Sequence, residues 1–338
     1  MPIQYTSITE EHHAVRRQVG LFDIAHMGRL QFTGPDACRF LDHLLTNDAS
    51  ALKVGQVRYS LVCQADGGIL DDVLVYRLDA SYLLVVNASN REKILAWIEQ
   101  HRDGFSVDVK DLTFDQPMIA VQGPQAIGVA ERVIGRTLGE MKYFTANAIE
   151  YDGQPALISR TGYTGEDGIE LIVAAASATK LWEQLLADAE GKVTPCGLGC
   201  RDTLRLEAAM PLYGHELDET IDPLTAGLDF AVKLSKPEFI GRDALQQRKD
   251  GGLERRRIGL QLTGRRIARE GAAVFSGDTE VGIVTSGTFS PTLERPIAMA
   301  YVDAECAENE NALEVDIRGQ RVEAEIVPLP FYKRPKPK

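Results

Sequence analysis

Apolar-rich runs bounded by turn residues predict strands over 59–63, 69–77 and 82–86, and again over 148–151, 156–159 and 169–173. Helical spacing follows each set. Ile94, Leu95 and Ile98 share one side of a helix predicted over 91–102, and a second is predicted over 179–189. The two halves echo each other at their starts. Leu30-Gln31-Phe32-Thr33-Gly34-Pro35-Asp36-Ala37 resembles Ile119-Ala120-Val121-Gln122-Gly123-Pro124-Gln125-Ala126. In each, a strand ends at Gly-Pro and a helical pattern begins, where a proline without an N–H is tolerated. The pattern predicts an α+β fold with a duplicated unit, two packed sheet-plus-helix halves with a site between them.

Residues 208–243 read as a helix end, a polar connection and an apolar segment. Beyond Arg257 short strands alternate with glycine turns, over 258–262, 273–275, 281–285, 298–302, 312–317 and 322–326. That spacing predicts a small antiparallel β-domain. Arg248-Lys249-Asp250-Gly251-Gly252, charged and then glycine-rich, reads as the linker. The expected domains are residues 1–247 and 253–338.

A length of 338 residues suits two or three domains with real cores. No apolar run approaches a bilayer span, and the polar N-terminus does not read as a signal peptide, so a cytoplasmic protein without a membrane partner is expected. A net charge of −12 argues against general nucleic-acid binding. The five cysteines are scattered without a C-x-x-C pair and read as free thiols in a reducing compartment. Cys196 and Cys200 lack a matching His or Cys pair, so no metal is expected.

The chemically richest stretch is Ser159-Arg160-Thr161-Gly162-Tyr163-Thr164-Gly165-Glu166-Asp167-Gly168-Ile169-Glu170. Strand-like runs flank it, and it exceeds a hairpin turn in length and chemistry. Asp71 and Asp72 fall on a predicted strand, so they point to opposite faces, with Asp72 sharing its face with Leu70, Leu74 and Tyr76. Either both acids cap a strand end at the surface, or one is buried for use. Arg201 opens a helix predicted over 201–209, where Asp202, Arg205 and Glu207 could form a solvated, salt-bridged face. No histidine sits in a triad-like setting, and P-loop and G-x-G-x-x-G motifs are absent.

These motifs resemble, in order, those of the aminomethyltransferase (T-protein) family of the glycine cleavage system. The resemblance rests on the 159–170 stretch, Phe22-Asp23-Ile24-Ala25-His26-Met27-Gly28, Gly67-Gly68-Ile69-Leu70-Asp71-Asp72, Val86-Asn87-Ala88, Val121-Gln122-Gly123-Pro124, Gly197-Leu198-Gly199-Cys200-Arg201-Asp202-Thr203-Leu204-Arg205-Leu206-Glu207 and Thr285-Ser286-Gly287-Thr288-Phe289-Ser290-Pro291-Thr292-Leu293. It spans residues 1–332.

The resemblance implies a duplicated folate-binding region and a C-terminal β-barrel around a central cavity. It implies transfer of a one-carbon unit from an aminomethyl-lipoyl carrier, the H-protein, to tetrahydrofolate, with tetrahydrofolate as co-substrate. It makes Asp72 the catalytic acid, Glu170 a partner for the pterin edge and Arg201 a partner for folate carboxylates. Tyr59, Tyr143 and Tyr163 match ring-lining positions, and Met27, Leu74 and Asn87 match further ligand contacts. For each, core packing is the other reading. Arg265, Arg266 and Arg269 form a basic patch that either docks an acidic carrier or guards a strand edge. A superfamily demethylase and a non-catalytic folate-binding assembly factor are the alternatives, although Glu238-Phe239-Ile240-Gly241-Arg242-Asp243-Ala244-Leu245 lacks the Lys-Gly-Cys-x-x-Gly-Gln-Glu motif of the latter. Two features depart from the family. Its upstream stretch ending in Trp-x-Met-Pro is missing before Met1, and Ile94 stands where an acid is common.

Overall fold

The computed structural model describes all residues except 189, 191, 309–312 and 336–338. The ends of the helix expected to 189 and of the strand expected from 312 lie outside the described residues. After α1 (Ile8–Arg17) the chain runs twice through the same series of elements. The first pass is β1 (Val19–Asp23), β2 (Gly28–Thr33), α2 (Ala37–Leu44), β3 (Val57–Cys63), β4 (Ile69–Arg77), β5 (Tyr82–Val86) and α3 (Arg91–His101). The second is β6 (Asp108–Asp111), β7 (Met118–Gln122), α4 (Ala126–Ile134), β8 (Ala146–Tyr151), β9 (Gln154–Ser159), β10 (Gly168–Ile172) and α5 (Ala175–Leu186). Then come β11 (Val193–Pro195), α6 (Leu198–Glu207) and α7 (Arg242–Gly251).

Each pass gives its first strand to the other's sheet. One sheet has the order β3-β4-β5-β2-β6, and the other β11-β1-β7-β10-β9-β8. Thus β6 pairs with β2, and β1 pairs with β7, both antiparallel. Neither half can fold its sheet without the other. The two sheets pack face to face through Tyr76, Leu83 and Val85 on one and Phe22, Met118 and Ile172 on the other. Helices α2 and α3 cover the outer face of the first sheet through Phe40, Leu41, Leu44, Ile94 and Ile98. Helices α4 and α5 cover the second through Val129, Ala130, Leu181 and Leu185. The result is four layers, helix, sheet, sheet and helix. Ile94 is buried in the outer core, which accounts for an apolar residue there.

The C-terminal part is a closed six-stranded barrel in the order β12-β15-β14-β13-β16-β17. Its strands are β12 (Arg255–Leu262), β13 (Ala273–Ser276), β14 (Thr279–Ser290), β15 (Arg295–Asp303), β16 (Leu313–Asp316) and β17 (Arg321–Val327), with a short α8 (Ala304–Ala307) between β15 and β16. Closure removes the exposed edges of an open sheet. The expected linker is a correction. Arg248–Gly251 is the last turn of α7, and the chain leaves it at Gly252 with φ of 85°.

Helix α6 joins the layers to the barrel. Glu207 accepts from Ser290 Oγ (2.5 Å) and Thr292 N (3.1 Å), and Arg16 Nη2 donates to it at 2.8 Å. Arg205 donates to Glu216 at 2.6 Å and to Ser286 at 2.8 Å. Both residues are buried, so the solvated face read for Asp202, Arg205 and Glu207 is corrected, and of these three only Asp202 is exposed. Burial opposes the charge of Glu207, yet His12 and Arg16 hold its carboxyl down at about 2.

Candidate functional site

Two carboxylates stand side by side on β4 in different settings. Asp71 faces the helical layer and is fully buried. It accepts from Asn90 Nδ2 (2.6 Å), Asn87 Nδ2 (2.8 Å) and Asn87 N (3.0 Å). Asp72 faces the space between the sheets. It accepts from the Tyr59 hydroxyl at 3.1 Å and from Asn87 Nδ2 at 2.7 Å. The two hydrogens of the Asn87 amide thus tie both acids together. Burial raises the pKa of both carboxyls, and the Asp72 charge raises Asp71 further against its amide hydrogen bonds.

The expected face of Asp72 needs one correction. A β-bulge sets Val62 opposite Asp71 and Cys63 opposite Ile69, leaving Leu70 as the extra residue. Leu70 therefore packs in the outer core beside Val73 and Val75, while Leu74 and Tyr76 remain with Asp72 toward the second sheet.

Across the gap, β10 carries Glu170. It is buried, and its one direct donor among the described residues is the Thr161 hydroxyl. Burial raises its pKa against that bond and the nearby Arg201 charge. Arg201, on α6, stands with its guanidinium 4.8 Å from the Tyr163 ring centre. Among the described residues no carboxylate pairs with it, and burial lowers its pKa. Tyr163 donates its hydroxyl to the Pro211 carbonyl and feels the charges of both Asp72 and Arg201.

The loop carrying Tyr163 is built around one side chain. Gln122 Nε2 donates to the carbonyls of Thr161 (3.1 Å) and Ile169 (3.2 Å), and its Oε1 accepts from Thr164 Oγ1 (3.0 Å). A Cβ on Gly162 would lie 2.0 Å from Gln122 Oε1, so only glycine allows this approach. Met27 is set similarly by a buried residue that sequence reasoning missed. Arg29 donates to the carbonyls of Met27 (2.6 Å), Ala25 (3.1 Å) and Thr113, and burial pushes its pKa down to about 10. Met27 and Leu74 both pack against the core between the sheets.

The structure brings Asp72, Tyr59, Asn87 and Leu74 together on one sheet, opposite Glu170, Tyr163 and Arg201. Tyr143 sits apart, at the rim and 40% exposed. Its hydroxyl donates to the Glu166 carbonyl at 2.8 Å and accepts from Arg334 at 2.8 Å. Arg265, Arg266 and Arg269 are exposed between β12 and β13, with no charged partner among the described residues. Asn90, Thr161 and Arg29 also went unread. Asn90 is the residue before α3, a position asparagine favours, which is the signal that could have found it.

Among the described residues one trio could offer metal ligands, Glu11, Cys196 and Cys200, all buried. Glu11 already accepts from the backbone N–H groups of Tyr5 (2.5 Å), Thr6 (2.9 Å) and Gly197 (2.8 Å), which makes it a clamp on the N-terminal segment. A surface pocket beside α2, lined by Cys38, His43, Asp48 and Lys236, is separate from the paired-sheet site. Its Lys236 ammonium is committed to the carbonyls of Asp42, Leu45 and Asn47.

Comparison with known proteins places this arrangement. Residues 1–236 match the GCVT N-terminal domain, and residues 255–333 match the glycine cleavage T-protein C-terminal barrel domain. An aminomethyltransferase of Geobacillus thermodenitrificans is 48% identical over 340 residues, covering 99% of this chain and 93% of the relative. One of Bacillus mycoides is 46% identical with the same coverage. The crystal structure of the glycine cleavage system aminomethyltransferase T from Bartonella henselae superimposes with a TM-score of 0.93 at 35% identity, over 98% of this chain and 92% of that one.

Proposed function

Since the chain belongs to the glycine cleavage T-protein family of aminomethyltransferases, we propose that it moves the one-carbon unit of an aminomethyl-lipoyl carrier, the H-protein, onto tetrahydrofolate. One observation carries the reading. A buried carboxylate, Glu170, and a half-buried guanidinium, Arg201, form no ion pair among the described residues, although each feels the other's charge. Burying charge unpaired is costly, so such groups await a ligand that brings the missing partners. A reduced pterin offers two parallel N–H donors to a carboxylate, and a glutamyl tail offers carboxylates to a guanidinium fork. The rings of Tyr59 and Tyr163 suit the flat parts between.

The reaction breaks the C–S bond to the lipoyl arm and the C–N bond to the amino group, and it forms C–N5 and C–N10 bonds. The hydrogens of N5 and N10 leave with the products, one completing ammonia and one completing the dihydrolipoyl thiol. The product is 5,10-methylenetetrahydrofolate. Positive charge develops on the migrating carbon as the first bond breaks. Asp72 is the anion that stabilises that charge, and burial, which raises its pKa, favours its taking up and returning a proton during the reaction. Tyr59 and Asn87 fix its orientation.

Titration calorimetry with tetrahydrofolate tests this reading. The parent binds it, and Glu170→Ala and Arg201→Ala each weaken binding by about 1–3 kcal/mol, the loss expected for a charge-assisted bond. Absence of binding by the parent defeats the folate reading, and variants that bind like the parent defeat these two assignments.

A further inference from the structure

Glu170 on β10 stands directly across from Ser159, the last residue of β9. Cross-strand partners project from the same face, and Thr161 follows two residues beyond Ser159. All three are buried. The Thr161 hydroxyl donates to the Glu170 carboxylate, and Ser159 Oγ lies 2.7 Å from Thr161 Oγ1. A third hydroxyl continues the row from the other sheet. Tyr76 Oη is 3.4 Å from Ser159 Oγ. Tyr76 is fully buried on β4, four residues after Asp72 and, at strand spacing, on the same face.

Counting hydrogens fixes the direction of these bonds. An ionised carboxylate only accepts, so Thr161 gives its single hydroxyl hydrogen to Glu170. Ser159 must then supply the hydrogen of the 2.7 Å contact, and Tyr76 that of the 3.4 Å one. Three hydroxyls thus point their hydrogens toward one carboxylate, and in a buried setting such donors polarise one another. Arg201 on α6 adds its charge to this support, and the Glu170 charge is felt at the Tyr76 hydroxyl. Another buried tyrosine, Tyr151 on β8 of the same sheet as Glu170, offers a contrast. Its hydroxyl donates to Gln184 on α5 at 2.6 Å and takes no part in the row.

Resting on the function proposed above, we propose that Ser159 and Tyr76 are positioning residues for the pterin, acting through Thr161 and Glu170. By holding the carboxylate ionised and in one orientation, the row leaves its remaining acceptor sites for a ligand with two parallel N–H donors. A carboxyl released from the row is free to turn or to take up a proton, and either change costs it an N–H contact. In this arrangement neither Ser159 nor Tyr76 needs to touch the ligand. The row also crosses from the sheet of Glu170 to the strand that carries Asp72, so the pterin end and the reacting end of the site are set against one frame.

The test is tetrahydrofolate calorimetry on the full chain, in the parent and in a Glu170→Ala background, with thermal melting as the check on folding. Ser159→Ala raises the Kd about three- to tenfold and Tyr76→Phe about two- to fivefold, the range for losing one buried hydrogen bond. Neither substitution adds to the loss in Glu170→Ala, because the row then has nothing to hold. Thr161→Val behaves like Ser159→Ala, whereas Thr161→Ser keeps the hydroxyl and binds like the parent. Tyr151→Phe leaves the Kd at the parent value. A parent Kd in Ser159→Ala or in Tyr76→Phe overturns the inference. So does an equal rise in both backgrounds, which would assign these residues to the fold of the loop alone. Absence of binding by the parent defeats the folate reading itself, and the inference with it.

Discussion

On β4 the side chain of Asp71 points to the helical layer and that of Asp72 to the space between the sheets, with one amide, Asn87, binding both. The division of labour follows from their partners. Asp71 spends its acceptor sites on Asn87 and Asn90, which fixes the start of α3. Asp72 accepts from Tyr59 and Asn87 alone among the described side chains. Its folded pKa is raised by burial above the unfolded value of about 4. The stabilising effect of a raised carboxyl is full below the unfolded pKa and is lost as pH rises through the folded one. The ionised form of Asp72 is therefore the one the fold disfavours. Asp72→Asn should cut kcat by a factor on the order of 10² or more, hold tetrahydrofolate affinity within a few fold, and leave Tm equal to or above the parent. The kcat–pH profile of the parent should rise through the raised pKa, and this limb should vanish in the variant. Asp71→Asn should lower Tm and slow turnover less. Equal activity of Asp72→Asn and the parent would remove Asp72 from the chemistry.

At the scale of elements, the sequence is informative where local patterning decides. The strands read over 59–63, 69–77 and 82–86 coincide closely with β3, β4 and β5, and the closed barrel matches the run of short strands after Arg257. What stayed hidden depends on distant partners. β1, β6 and β11 are three to five residues long, and their pairing is set by the other half of the chain. The bulge at Leu70 flips one side chain without a glycine or proline to mark it. Arg205 and Glu207 look like a surface pair by spacing, and only the barrel's arrival buries them. Asp72, Glu170 and Arg201 entered the candidate site through the family resemblance, whereas the anchoring by Asn90, Thr161 and Arg29 needed the fold. The segment between β12 and β13 carries Arg265, Arg266 and Arg269 free of charged partners among the described residues. On a chain of net charge −12, such a patch suits an acidic carrier. Reversing Arg265 and Arg266 to Glu should raise the carrier KM at low salt and leave the tetrahydrofolate Kd alone, with the defect shrinking as ionic strength rises. An unchanged carrier KM at low salt would leave these arginines as a solvated loop patch, since the closed barrel has no free strand edge for them to guard.

The whole molecule sets Asp72 and Glu170 on two sheets that pack face to face. Exchange of β1 and β6 makes the sheets interdependent, so the distance between Asp72 on one and Glu170 on the other is set by the entire four-layer core. The barrel closes a third side through Glu207 and Glu216, each satisfied by partners from both parts. Thr285 and Ser286 of the barrel thereby fasten α6, the helix that carries Arg201. Under the proposed function such a frame would position two reactants, which is where most of the rate for a bimolecular transfer can come from. The most direct measurement is a single-turnover experiment with excess protein over aminomethyl-lipoyl H-protein, following ammonia and 5,10-methylenetetrahydrofolate together with and without tetrahydrofolate. The account predicts that both products form in equal amounts with tetrahydrofolate, that neither forms fast without it, and that Asp72→Asn abolishes the burst while still binding both reactants. Ammonia release at the same rate without tetrahydrofolate, or a full burst from Asp72→Asn, would contradict it.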